Sequence, residues 1–458
     1  MPANIEAEEF YKLRDNRTDI YLRETGSYSS KTVKVSGALP AMSTYVAQVI
    51  AVVTCNLLAR WCRNVQLAIP DVEMHPLLGS GTLMDRLLHL MHAADPFGAF
   101  AGIALDSPTA DLNIEIGAST SAVTGAATHL AASGWLASIS KGGAECLVID
   151  SLDSNPVGAA AAAILGGAQV FREAAGLDGA YPQHLLFDAF LMEPAGSPQG
   201  VQYPVHPSVG RILLVGCGAV GSAAAYFTGL FGIEAEITAA DGDVLGVENL
   251  GRSPLFAAAQ CGTNKAVAMA LELAANPSIK VHAVPQWWHD SSALHDLGAF
   301  DIVIPAANEH HVREALQAAL PPLMIHASTS SAWQVNFGRH IPGVDDCLAE
   351  RFEGMSARPK MSCSSGAVPI TDGASVDASL PFLSFWAGFL ISVDLLRLTL
   401  AGYPQVSNFG MHLFRKPGIL VLDPPRGPRA SCACRQQGGL FEQLRRDTRY
   451  RKLSPVSW

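Results

Sequence analysis

The chain has 458 residues, 49% of them apolar, enough for about two to three domains with sizeable buried cores. Acidic residues outnumber basic ones 41 to 31, a formal net charge of −10 that opposes binding to nucleic acid and other polyanions. The acidic opening Met-Pro-Ala-Asn-Ile-Glu-Ala-Glu-Glu does not read as a secretory signal. Nine cysteines without one suggest thiols in a reducing cytoplasm rather than a disulfide framework.

In chain order, the first elements are a β-branched strand at Thr32 to Ser36, an Ala/Val/Leu-rich helix from Ala41 to Cys62, and a strand from Val65 to Pro70 ending at Asp71. Gly37-Ala-Leu-Pro40 joins the first strand to the helix without a phosphate-binding glycine pattern. A second small-residue helix starts at Asn155-Pro156, of the kind that packs closely on a neighbour. The Pro-, Gly-, Ser- and Gln-rich stretch between Met192 and Ser208 reads as a linker, placed at 196–208.

Beyond it, Arg211 to Val215 forms a short apolar strand, and Gly216, Gly218 and Gly221 open an Ala-rich helix in a spacing that lets backbone N–H groups approach phosphate. A second strand, Ala235 to Ala240, ends at Asp241, about twenty residues past the glycines, where a carboxylate can take a ribose hydroxyl pair. By itself this fingerprint serves nicotinamide and flavin enzymes as well. More specific are Asp243, Asn249-Leu250-Gly251-Arg252 and Gly262-Thr263-Asn264-Lys265-Ala266, which follow in that order.

This run resembles the ATP site of the ThiF/MoeB-type family, which includes the activating enzymes of ubiquitin-like proteins. The resemblance implies an α/β fold of two Rossmann-like doubly wound halves. The first (1–195) is inactive; the second (209–458) is active and carries a catalytic-cysteine crossover. It also implies ATP and Mg2+ as cofactors, with Asp241 on the ribose, Asn249 and Arg252 on the phosphates, and Lys265 at the α-phosphorus and departing pyrophosphate. These residue types suit a reaction between two anions, because cations must gather where negative charge develops. A nicotinamide-dependent oxidoreductase gives Asn249, Arg252 and Lys265 no role.

One departure falls at Pro305-Ala-Ala-Asn308-Glu309, where the family carries Asp-x-x-Asp-Asn and its second Asp helps to hold magnesium. Asn308, Glu309 and Asp243 are the remaining candidates, and Arg313 keeps the family's terminal arginine of that motif. In the paired arrangement the inactive half lends an arginine from its N-terminal segment; here Arg17 and Arg23 are the candidates.

Cys363, in Lys360-Met-Ser-Cys-Ser-Ser-Gly366, resembles the family's thioester cysteine, with Lys360 and Arg358 near enough in sequence to favour the thiolate. Cys347, Cys432 and Cys434 stand roughly where other members have zinc ligands, but Cys432-Ala-Cys434 is one residue short of Cys-x-x-Cys, and Val344 occupies the partner position of Cys347. A closed zinc site needs four ligands, so Cys363 or a histidine such as His340 would have to join. Zinc and thioester therefore compete for one sulfur. Cys55, Cys62, Cys146, Cys217 and Cys261 read as small buried hydrophobes.

Trp287-Trp288-His289 and His310-His311 read as packing. The apolar run Leu380 to Val393, interrupted by Asp394, falls short of a membrane span and reads as a buried core helix. The expected partners are a ubiquitin-like protein, through its C-terminal tail, and a conjugating enzyme, with no membrane; a homodimer is an open arrangement. Rival readings are a sulfur-carrier adenylyltransferase that needs no thioester and a non-catalytic scaffold.

Overall fold

The computed structural model describes residues 5–22, 27–117, 127–142, 147–177, 183–194, 201–294, 296–307, 310–330, 333–343, 345–347, 367–369, 375–377, 380–400, 408–414, 419–423, 427 and 434. It has two eight-stranded sheets wired in the same order. In the first half lie α1 (Ala7–Leu22), β1 (Thr32–Gly37), α2 (Tyr45–Ala59), β2 (Asn64–Ala68), α3 (Leu83–Ala94), β3 (Ala99–Gly102) and β4 (Leu112–Ile116). They are followed by β5 (Thr128–Ser133), β6 (Leu136–Lys141), α4 (Pro156–Ala174), β7 (His184–Asp188) and β8 (Glu193–Pro194). Glu193–Pro194 thus belongs to a strand and not to the expected connecting stretch from Met192.

The second half repeats the series with β9 (Ser208–Val215), α5 (Ala219–Leu230), β10 (Glu234–Ala240), α6 (Val247–Leu250), α7 (Lys265–Leu273), β11 (Ile279–Val284), β12 (Ile302–Pro305) and α8 (His310–Ala318). It continues with β13 (Met324–Ser330), β14 (Gln334–His340), the small pair β15 (Ala367–Pro369) and β16 (Ser375–Asp377), α9 (Pro381–Thr399), β17 (Phe409–Leu413) and β18 (Ile419–Asp423).

The first sheet runs β3-β2-β1-β4-β5-β6-β7-β8 and the second β11-β10-β9-β12-β13-β14-β17-β18. In each, the first five strands are parallel and the last three antiparallel. The pseudo-repeat expected from the pattern of Thr32 to Asp71 is therefore a duplication of topology, and the α/β class with two Rossmann-like halves holds. Each sheet reverses direction beside its first strand, so the crevice at β9 and β12 is a topological switch point, the place where open α/β sheets bind ligands.

Thr44 and Asn155 cap α2 and α4 by accepting the N–H groups of Ala47 and Val157. Both helices are buried nearly all round, which is why their sequences carry no polar face. One hydrophobic cluster runs through both halves. At the seam Phe171 of α4 packs on Phe382 of α9 and on Trp333, while Phe187 of β7 meets Trp386 edge-on.

Helix α9 is the buried core helix expected from the sequence, but its length differs from that expectation. It is 19 residues long, continues through Asp394, and is long and apolar enough to cross a membrane by length and composition. Every residue from Pro381 to Leu398 is nevertheless buried inside the protein. Asp394 does not interrupt it because Arg397, one turn on, approaches to 3.4 Å and Arg339 of β14 to 4.0 Å, so the carboxylate enters the core compensated. Gly388 lets α9 pass directly over the backbone of Ala223 and Ala224 in α5, the helix that opens at the glycine loop.

Candidate active site

Strand β9 ends at Val215 and the chain turns into α5 through Gly216-Cys217-Gly218. Gly216 has φ +95°, and a side chain there would strike the Ala306–Ala307 backbone after β12. A Cβ on Gly221 would run into the Gly216 carbonyl, so this glycine sets how closely α5 sits on the turn. Gly218, the N-cap of α5, has nothing within 4 Å of where a side chain would begin. One glycine makes the turn, one packs the helix, and one leaves its backbone open to a ligand, the division of labour of a phosphate loop.

Asp241 follows β10 beside this loop. Its two oxygens accept the N–H groups of Cys217 at 2.6 Å and Asp243 at 2.8 Å, locking the second strand end to the glycine turn. Burial pushes the Asp241 carboxyl up, against the opposing pull of those two donors and of Lys265. Asn264 ties the next segment in. Its amide donates to the carbonyls of Asp241 (2.8 Å) and Asp243 (3.0 Å), and its Oδ1 caps α7 by accepting from Ala266 and Val267. Lys265, the first residue of α7, thereby faces the site, and its Nζ pairs with Asp243 Oδ2 at 2.7 Å. Sequence reading passed over Asn264, although its place before an apolar helical run marks it as a cap.

Asn249 lies within the short α6 and Arg252 two residues past its end. The Asn249 side chain accepts from Gly246 N–H at 2.9 Å, so its oxygen shapes the turn and its amide N–H groups are what it can offer a ligand. Arg252 is buried, with 8% of its surface exposed. The loop that carries it is held from the other half of the molecule. Arg60, at the end of α2, donates to the carbonyls of Leu250 (3.2 Å), Pro254 (2.9 Å) and Phe256 (2.8 Å), and Asn56 donates to Pro254 at 3.0 Å. Asn56 Oδ1 in turn accepts from Arg60. Burial pushes the Arg60 guanidinium down to about 9, leaving it charged at neutral pH. Nothing in the sequence around Arg60 signals this role.

Of the N-terminal arginines, Arg14 is committed elsewhere, paired with Asp15 and Asp95 in the core of the first half. Arg17 lies half-buried on α1, which packs against α6. Arg23, Asn308, Glu309, Arg358, Lys360, Cys363 and Cys432 lie outside the described residues. Arg313 donates to the Ala307 carbonyl at 3.2 Å, steadying the turn that backs Gly216. In the first half, the Met42 thioether fills the space beside Gly37, where the second half has its open loop.

Cys55 and Cys62 are buried and their thiols are pushed up to about 12 by burial; Cys217 is likewise buried and raised, so none of the three is a nucleophile. Cys347 and Cys434 come together from 87 residues apart, their sulfurs 3.2 Å from one another and too far for a disulfide. His340 completes a buried trio whose ligand atoms all lie within 4.8 Å. His340 Nδ1 donates to the Asp346 carbonyl at 3.2 Å, which leaves Nε2 as an acceptor with no hydrogen-bond partner among the described residues. Burial pushes the imidazole down to about 4, keeping it neutral.

A family model described as the ThiF family matches residues 205–427. No match is found among curated proteins. Among solved structures the chain is similar to E. coli MccB with ATP at 19% identity, covering 49% of this chain and 65% of that one, with a TM-score of 0.38. It is similar to E. coli MccB with succinimide at 18% identity, covering 49% and 66%, again with a TM-score of 0.38. The microcin C7 biosynthetic enzyme MccB in complex with N-formylated MccA is similar at 18% identity, covering 49% and 67%, with a TM-score of 0.38. The chain thus spans about two thirds of the length of these structures. Residues 205–427 of this chain thus form a domain of the ThiF family.

Proposed function

We propose that the chain uses ATP to activate the C-terminal carboxylate of a ubiquitin-like protein and then holds that protein as a thioester on Cys363. The observation that carries the first step is the convergence of the open Gly218 backbone, the fixed Asp241 carboxylate and the Lys265–Asp243 pair at one strand edge. A carboxylate oxygen of the substrate attacks the α-phosphorus, the bond to the bridging oxygen breaks, and pyrophosphate departs with the electron pair. Backbone N–H groups at the start of α5 receive the phosphates, Asp241 accepts from ribose hydroxyls, and Arg252 and Lys265 balance the charge that develops on the phosphorus oxygens. Arg17, on the α1 helix that packs against α6, is the described candidate from the first half to join them.

In the second step the Cys363 thiolate attacks the acyl carbon of the mixed anhydride, forming C–S as C–O breaks and AMP leaves. A conjugating-enzyme cysteine then takes the acyl group by exchange. The first half, with Met42 beside Gly37 in place of an open loop, serves as a support rather than a second catalyst. Among the described residues Asp243 offers the carboxylate that magnesium prefers; bound there, the ion would screen the phosphate charge.

His340, Cys347 and Cys434 suit a structural zinc, with soft sulfurs, a neutral imidazole and an acceptor nitrogen; Cys432 is the candidate fourth ligand. Such a site would leave Cys363 to the thioester. Metal analysis of the purified protein should find about one zinc per chain, lost in His340→Ala. A zinc-free wild type would remove the assignment.

The functional reading is tested by mixing the protein with ATP, magnesium and a ubiquitin-like protein that has a free C-terminal carboxylate. A thiol-sensitive adduct should appear on a non-reducing gel and vanish in Cys363→Ala, while ATP–pyrophosphate exchange persists in that variant. Exchange without any adduct would favour the sulfur-carrier reaction. Absence of both would overturn the activating-enzyme reading.

A further inference from the structure

Trp287 stands three residues beyond β11, at the same carboxyl edge of the sheet as Asp241. The two strand ends are joined there, since Asp241 N–H donates to the Val284 carbonyl at 3.2 Å and Gln286 N–H bonds the same oxygen at 2.8 Å. The middle residue of Asp241-Gly242-Asp243 is glycine for a reason visible in this contact. A Cβ on Gly242 would lie 2.6 to 2.7 Å from Cε2, Cδ2 and Nε1 of the Trp287 indole, three ring atoms at almost equal range. The indole therefore rests with its face on the Gly242 backbone. It is also one of the large apolar side chains left exposed, with 43% of its surface open to solvent.

An indole seated on a dedicated glycine is a fixed platform, and its exposed surface borders the ribose-binding carboxylate. We infer that Trp287 is the wall on which the adenine base of the nucleotide stacks, a contact that adds affinity for the base. The inference rests on the ATP reading of the site. Every base has a π-face, and stacking on an immobilised aromatic side chain needs no ordering of the protein at the moment of binding. The same geometry explains why the residue between the two aspartates carries no side chain here.

The test compares wild type with Trp287→Ala and Trp287→Phe by calorimetric titration of ATP and, separately, of inorganic tripolyphosphate, with magnesium throughout. ATP is expected to bind Trp287→Ala about tenfold or more weaker than wild type, with Trp287→Phe between them, because stacking of this kind is lost on truncation. Tripolyphosphate, which has no base, should bind wild type and Trp287→Ala alike, which also reports that the variant is folded. ATP affinity unchanged in Trp287→Ala overturns the inference while leaving the ATP site standing. Equal losses for ATP and tripolyphosphate overturn it too, by assigning Trp287 to the architecture of the loop. Failure of wild type to bind ATP at all would instead bring down the nucleotide reading on which the inference rests.

Discussion

Arg60→Ala should lower the stability of the protein by about 3–5 kcal/mol and abolish most ATP–pyrophosphate exchange, although Arg60 lies in the half without the glycine loop. Arg60 is 3% exposed and its guanidinium donates to three carbonyls of the 250–256 loop, with Asn56 seconding one of them. Hydrogen bonds from a charged donor are worth about 1.5–3 kcal/mol each, and a buried carbonyl stripped of its donor costs a further 1–3 kcal/mol unless water reaches it. The losses do not add fully, since water entering the gap left by the side chain would satisfy some of the carbonyls. Arg252 rides on this loop, so slackening it displaces the cation that the proposed mechanism sets against the phosphates, where small misplacements cost rate. Arg60→Lys is expected to recover only part of the loss, because one ammonium cannot span carbonyls that the guanidinium reaches from separate nitrogens. Urea unfolding and exchange rates measured on the same preparations would decide the matter. An unfolding midpoint equal to wild type in Arg60→Ala would refute the clasp.

Lys265→Ala has the opposite profile, a loss of rate with the fold intact. Exchange should fall by about 10²- to 10³-fold, the range seen when one preorganised stabiliser of transition-state charge is removed. The unfolding midpoint should move little. The Lys265–Asp243 pair is half open on the carboxylate side, with 52% of the Asp243 side chain exposed, and such pairs contribute modestly to stability. The α7 cap stays in place because Asn264, not Lys265, makes it. ATP affinity is the finer readout: if Lys265 acts on the developing charge, the catalytic constant drops more than binding weakens. A Lys265→Ala variant that exchanged at the wild-type rate would remove this residue from the chemistry.

The glycine loop, Asp241, Asp243 and Lys265 were legible in the chain because each depends on short-range rules: strand, turn, helix start and strand end follow one another within a single βαβ unit. The same locality revealed the duplicated outline of the first half, where β1 and α2 repeat the pattern of β9 and α5 without its glycines. Trp287, by contrast, looked like one half of a packing pair, and only the pairing of β10 with β11 sets it on Gly242. Asp394 looked like the end of an apolar run because the cations that compensate it include one on another strand. Of the three cysteines expected as zinc ligands, Cys347 and Cys434 meet among the described residues, joined by His340, which the sequence offers only as an alternative fourth ligand; the contact between the two sulfurs spans 87 residues of chain.

By itself, then, the sequence determined the α/β class, the place of the glycine loop and the order of charged residues around it, since these follow from periodicity and from residue types at fixed local spacing. Which half supports which was decided only by the tertiary structure. The Arg60 guanidinium reaches Leu250 across 190 residues, and α4 and α9 share one core. Contacts of that separation depend on how two sheets are wired and packed, and no local pattern in either segment records them.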